Sequence, residues 1–153
     1  MATEVVYPPG RNRPTRVAKI GSGIVAGYSG TPLPRKLGVT NDSRVLLDGA
    51  PPDFDLDACA PHRRAGAGPY DVILCFCRDA ARLRRRYPAL HRKTTPAGAL
   101  WVAWPKRASG IPTDLDENVV RDHALANGRV DVKVCAIDEV WSGLKLVIRK
   151  ADR

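Results

Sequence analysis

The apolar positions of this chain fall into two kinds of pattern, unbroken runs and spaced stripes. The longest run is Gly98-Ala99-Leu100-Trp101-Val102-Ala103-Trp104, delivered by a turn at Pro96-Ala97-Gly98 and ended by Pro105. A short apolar run of β-prone residues between turn residues reads as a strand buried on both faces, the middle of an α/β sheet. Val45-Leu46-Leu47, within a strand from Arg44 to Asp48, reads the same way. So does Val72 to Phe76, opened by Tyr70-Asp71. These three runs are expected to be adjacent parallel strands.

The stripes predict helices. Ala80, Leu83 and Tyr87 recur at spacings of three and four within a helix from Arg78 to Arg86, with Arg82, Arg85 and Arg86 on its other side. Pro88 breaks that helix, and Ala89 to Lys93 restarts a turn of it. Thr113 is the expected N-cap of a later helix, with Asp114, Asp116 and Glu117 in its first turn. Leu115, Val119, Val120 and Ala124 are its buried side, and Gly128 stops it. Next, Val130, Val132, Val134 and Ala136 alternate with Asp131, Lys133 and Cys135, as in a strand with one wet face. Trp141-Ser142-Gly143 reads as a turn into a last strand carrying Leu144, Leu146 and Ile148. Near the start, Ala26 to Thr31 is turn-rich. Thr31 is the expected cap of a short helix with Pro32 first, Gly38 past its end, and Leu33 and Leu37 facing inward. Asn41-Asp42-Ser43 makes a turn. Phe54, Leu56 and Ala58 close a short helix or turn, and Cys59 to Gly68 holds a short strand or only a loop.

This order implies a small Rossmann-like α/β domain, a mostly parallel sheet closed by a C-terminal antiparallel hairpin, over residues 26–153. Residues 1–25, with Pro8-Pro9-Gly10 and the scattered Arg11, Arg13, Arg16 and Lys19, lack periodicity and read as a flexible basic arm.

Composition adds three constraints. A length of 153 residues makes one domain the default. The formal charge of +9 raises nucleic acid and acidic proteins as partners, although an arginine-rich chain also spreads such charge over solvated faces. The four cysteines contain no Cys-x-x-Cys and no histidine at metal-ligand spacing. Cys75 and Cys77 share one face of a strand and read as small buried thiols, which fits a reducing cytoplasm. No run reaches membrane-spanning length, and the basic-then-apolar stretch from Arg11 to Val25 is broken by glycines, so neither a membrane anchor nor a signal peptide is expected.

Tyr70-Asp71-Val72-Ile73-Leu74 resembles the fourth strand of class I methyltransferases. Thr95-Pro96-Ala97-Gly98-Ala99-Leu100 resembles their turn into the fifth, and the terminal hairpin resembles their last two strands. A closer resemblance, over residues 26 to the end, is to the bacterial proteins grouped as domain of unknown function 3052. It is carried by Ala26-Gly27-Tyr28-Ser29-Gly30-Thr31-Pro32-Leu33, Lys36-Leu37-Gly38-Val39, the run from Gly98 to Lys106, and Trp141-Ser142-Gly143-Leu144-Lys145. That resemblance implies the fold and no activity.

Chemistry narrows the choice. A methyltransferase brings glycine backbone against its cofactor after the first strand and holds the ribose with an acid after the second. Here Gly49 stands alone before Pro51 and Pro52, which lack amide donors. About twenty residues separate the first strand from Tyr70, too few for a full helix-strand-helix crossover, so the acid-bearing strand is expected to be shortened or lost. Asp48 and Asp53 are the acids left, and turn capping is their simpler role. There is no G-x-G-x-x-G, no phosphate loop and no G-x-S-x-G elbow. Ser22, Ser29, Ser109 and Ser142 read as turn residues, and His62, His91 and His123 as surface histidines. No catalytic residue, metal or cofactor is therefore expected. Ligands of open α/β sheets sit beyond the carboxyl ends of the strands. The candidate ligand rim is Asp48, Gly49, Arg78, Lys106, Arg107 and Ser109, suited to an anion. The candidate partner surface is Tyr28, Lys36, Trp141 and Ser142, with Trp141-Ser142 placed near the opposite rim or the sheet edge. The expected function is a non-catalytic binding or regulatory module for an anionic ligand or a protein partner. The alternatives are a divergent S-adenosylmethionine-dependent methyltransferase and a weak, non-specific nucleic-acid binder using the arm and the Arg82 to Arg86 helix.

Overall fold

The computed structural model describes residues 30–153, so the basic arm and Tyr28 lie outside the described residues. Strands β1 (Val45–Asp48), β2 (Tyr70–Phe76), β3 (Thr94–Pro105), β4 (Val130–Ala136) and β5 (Trp141–Val147) form one open sheet in the order β1-β2-β3-β5-β4. Three helices accompany it: α1 (Leu33–Leu37), α2 (Ala80–Lys93) and α3 (Glu117–Ala126). β1, β2 and β3 are parallel, with Val45 beside Val72, Asp48 beside Cys75, and Cys75 beside Val102. β5 runs antiparallel to both of its neighbours.

The unbroken runs are apolar on both faces because both faces are covered. Leu46, Ile73, Cys75, Leu100 and Val102 meet Leu83, Tyr87 and Leu90 of α2 and Val120 and Ala124 of α3. Val45, Leu47, Val72, Leu74 and Trp101 meet Leu37 of α1 and Phe54 and Leu56 of the loop after β1. Trp101 and Trp104, three apart in β3, fall on opposite faces. The Trp101 indole donates to the carbonyl of Leu37 at 3.2 Å, which ties α1 to the middle of the sheet.

Several local expectations are corrected. α2 is one helix of 14 residues that passes through Pro88. The proline frees the carbonyl of Arg84, and both residues are exposed, so water can take the lost bond. Pro96-Ala97-Gly98 does not precede β3 but bulges within it, since Tyr70 pairs with Thr94 and Val72 with Ala99. Gly98 is required there, because a Cβ would lie 2.6 Å from the Asp71 carbonyl. α3 starts later than expected: Asp116 is its N-cap and accepts from the Val119 amide at 2.9 Å, while Thr113 Oγ1 accepts from the Leu115 amide. Leu115 and Val120, the positions of a hydrophobic staple, are both buried, and Val119 is exposed. α1 has Pro32, not Thr31, at its N-cap position.

The second half of the sheet differs more. Trp141-Ser142-Gly143 is strand, not turn. The turn is Ile137 to Val140, closed by Asp138 Oδ1 accepting from the Val140 and Trp141 amides at 2.8 and 2.9 Å. Gly143 is needed for packing, as a Cβ would lie 2.8 Å from Ile137 Cδ1. β4 is an edge strand, and its alternation does not mark a buried face: Val132 is 54% and Val134 49% exposed. A register shift between Asp131 and Lys133 leaves Val132 without a partner on β5 and breaks the alternation.

A crevice closed by arginine at the ends of the parallel strands

β1, β2 and β3 point the same way and end at the same side of the sheet, β3 running two to three residues further, and the chain leaves them at Gly49, Cys77 and Lys106. From β1 it passes to the outer side of that strand, where His62 makes a single parallel bridge to Leu46, its amide bonded to the Val45 carbonyl and its carbonyl to the Leu47 amide. It then returns to the inner side as β2. In doubly wound sheets such a reversal marks the place, beyond the carboxyl ends of the strands, where ligands sit. The residue pair at its base is Asp48 and Cys75.

Two arginines of α2 reach over Asp48 at this end of the sheet. Arg82 Nη2 donates to Asp48 Oδ2 at 2.8 Å, and Arg82 Nε donates to the Phe76 carbonyl at 2.8 Å. Arg86, one turn on, donates through Nε to Oδ2 at 3.2 Å and through Nη2 to Oδ1 at 3.0 Å. Both lie on the side of α2 that the stripe leaves polar, yet the short β1 ends directly beneath them. Asp48 is buried and both of its oxygens are used. Hydrogen bonding to Asp48 holds the Arg86 guanidinium above its ordinary pKa. Gly49 has a φ of +73° and stands against Arg82: a Cβ there would lie 2.3 Å from Nη2. Below, Cys75 Sγ donates to Asp48 Oδ2 at 3.4 Å and touches Cys77 Sγ at 3.5 Å. The hydrogen bond with Cys77, and then burial, push the Cys75 thiol well above its usual range, so it remains a thiol and a donor. None of the four cysteines is in a disulfide.

The chain matches no protein-family model, no curated protein and no solved structure.

The six candidate rim residues thus share one edge of the sheet, but in different states. Asp48 and Gly49 are enclosed by Arg82 and Arg86. Ser109 is used within its turn, its hydroxyl donating to the Lys106 carbonyl at 2.6 Å and accepting from the Ile111 amide at 3.2 Å. Arg78 is exposed just beyond β2. Arg107 is exposed and borders a cleft of about 400 Å³ beside Trp104, Ile111, Thr113, Asp114 and Asp116. The N-termini of α2 and α3 are capped from within the chain. Asp79 Oδ1 accepts from the Arg82 amide at 2.8 Å, Asp114 Oδ1 from the Ala80 amide at 2.8 Å, and Asp116 from Val119. Helix-end amides that commonly hold phosphate already hold carboxylates here.

The partner-surface residues are also separated. Lys36 is in the last turn of α1. Trp141 is not at the opposite rim: antiparallel β5 begins where β3 ends, with Pro105 beside Trp141. Its ring is buried against Phe76, edge to face at 5.1 Å, so it packs the core and presents no contact surface. Ser142 is half-buried beside Trp104. Among the described residues no group of three metal-ligating side chains is present, and no helix is long and apolar enough to cross a membrane.

Arg82 and Arg86 were legible only as a polar helix face. A second group gave no sequence signal: Arg129, which is 1% exposed, with His91, Tyr87 and His123 around it. Neither His91 nor His123 is fully exposed, because both pack on the Tyr87 ring.

Proposed function

We propose that this chain is a non-catalytic, Rossmann-like binding module whose cofactor crevice is filled by its own Arg82 and whose remaining cationic rim receives an anionic ligand. The observation that carries the reading is the Arg82 guanidinium, fixed between Asp48 and the Phe76 carbonyl in the space that Gly49 leaves open. In a doubly wound sheet that space belongs to the ligand, approached by glycine backbone. If β1, β2 and β3 stand for the first, fourth and fifth strands of a methyltransferase-like sheet, the single bridge at His62 is what is left of the strand that carries the ribose-binding acid. Pro51 and Pro52 remove two further amides.

The anion preference rests on charge. Asp48 neutralises only one of its two arginines, and Arg78 and Arg107 are exposed along the same edge. A nucleic-acid reading has fewer freely presented arginines than the helix sequence suggests, since the Arg82 and Arg86 side chains are held on Asp48 and together keep one net positive charge. The test is calorimetric titration with inorganic phosphate and pyrophosphate, in the wild type and in the Arg78→Glu/Arg107→Glu double variant. The reading expects heats that weaken as salt rises and vanish in the variant. Equal binding by wild type and variant, or binding by neither, would overturn the anion assignment.

A further inference from the structure

Arg129 is a fully buried cation without a carboxylate. Its guanidinium donates through Nη1 to the Leu146 carbonyl at 3.3 Å, through Nη2 to the His91 carbonyl at 3.3 Å, and through Nε to His91 Nδ1 at 2.9 Å. None of the ion pairs among the described residues includes it. These three bonds join α2, the connection into β4, and β5. The shortest fixes the state of the histidine. Arginine has only donors, so Nδ1 must accept, and His91 must be neutral with its proton on Nε2.

We propose that His91 and Arg129 form an acid-sensitive clasp, closed while His91 Nδ1 is unprotonated and opened when a proton takes its place. Protonation converts the side-chain acceptor that Arg129 has among the described residues into a donor. It also sets a second positive charge against a buried guanidinium, and no ion pair among the described residues includes either. Of the two, the histidine can turn to solvent, being half-buried. Opening releases the α3–β4 connection from α2 and leaves the sheet ladder intact.

The surroundings reinforce the direction. On α2, Tyr87 stacks on the His91 ring at 5.7 Å, and Arg92 and Arg84 add positive charge near His91 and His123. From α3, His123 meets the other side of Tyr87 edge-on at 4.8 Å, and the Tyr87 hydroxyl donates to the Asn127 carbonyl at 3.4 Å. Burial raises the Tyr87 phenol to about 12, so it stays neutral and offers no counter-charge. From β5 comes only the Leu146 carbonyl. Burial first, then Arg129 and Arg92, lower the His91 pKa below its ordinary 6.5. The open state therefore binds the proton more tightly. Opening begins as pH falls below that ordinary value and levels off once pH passes the lowered one.

Native-state hydrogen exchange on the whole chain reads this at the Arg129 and Asn127 amides, both bonded to the Ala124 carbonyl at 3.0 Å. In the wild type their protection should fall by up to about tenfold per unit of pH below the ordinary histidine value. The Cys77 amide, bonded to the Ala103 carbonyl, should keep its protection. The variant His91→Asn puts a non-titrating acceptor where Nδ1 was, and its response should be flat. The variant His123→Gln should respond as the wild type does. An acid response that survives His91→Asn, or one lost only in His123→Gln, would overturn the clasp. Nitrogen NMR of wild-type His91 decides the matter without any variant. A proton on Nε2 at neutral pH is expected, and a proton on Nδ1 would overturn the proposal.

Discussion

Asp48 is the residue on which the crevice turns. Its carboxylate meets two guanidinium groups and a thiol, and every one of those partners is at least partly buried. Removing it leaves two cations facing each other across a desolvated gap. Asp48→Ala is therefore expected to cost about 3 kcal/mol in urea denaturation, the low end for a broken buried pair because both arginines remain about a quarter exposed. A loss within error of zero would mean that the pairing does not hold the crevice closed. Gly49 is constrained twice, by its φ of +73° and by Arg82. Gly49→Ala should cost about 1–2 kcal/mol from the left-handed backbone, and more because the Arg82 tip must leave its bonds to Asp48 and Phe76 to make room. The sequence showed Asp48, Gly49, Arg82 and Arg86 as separate features, a strand end, a turn and a polar helix face. Their meeting depends on how α2 lies over β1, 34 and 38 residues apart in sequence, and no local pattern encodes that.

At the scale of elements, Pro88 and the valines of β4 separate propensity from environment. Pro88 is exposed inside α2 and breaks a hydrogen bond that packing by Leu83, Tyr87 and Leu90 outweighs. Pro88→Ala should restore that bond and raise stability by about 1 kcal/mol, part of the propensity gap between the two residues. A loss of stability would mean that the proline shapes the helix rather than being tolerated by it. In the hairpin, Val134 pairs with Leu144 across β4 and β5, yet one is 49% and the other 1% exposed. Leu144→Ala should cost about 3 kcal/mol, and Val134→Ala about 0.5 kcal/mol. The three parallel strands were legible because a doubly covered stretch has no polar positions, as in Val45 to Leu47, Val72 to Phe76 and Ala99 to Trp104. β4 misled because alternation reports a buried face only where another layer lies over it. At the sheet edge the bulge at Val132 and the end of α3 leave that layer incomplete. The turn at Trp141-Ser142-Gly143 misled for a related reason: Gly143 is small to admit Ile137, not to bend the chain.

At the scale of the molecule, four features converge on the end of the parallel strands: the reversal between β1 and β2, the single bridge at His62, the prolines after Gly49, and the arginines of α2. On the proposed Rossmann-like reading, the first is the place where a doubly wound sheet holds a ligand, and the other three are what closes it here. The closing is local and electrostatic, so it makes a direct demand on binding. The measurement is a calorimetric titration of the whole chain with S-adenosylmethionine, repeated as a thermal melt. No heat and no shift in melting temperature are predicted, because on the proposed reading Arg82 holds the space and Asp48, the acid at the end of β1, is already paired to Arg82 and Arg86. Micromolar binding, with the stabilisation of about 2.7 kcal/mol that a ligand gives at a hundred times its dissociation constant, would contradict the account.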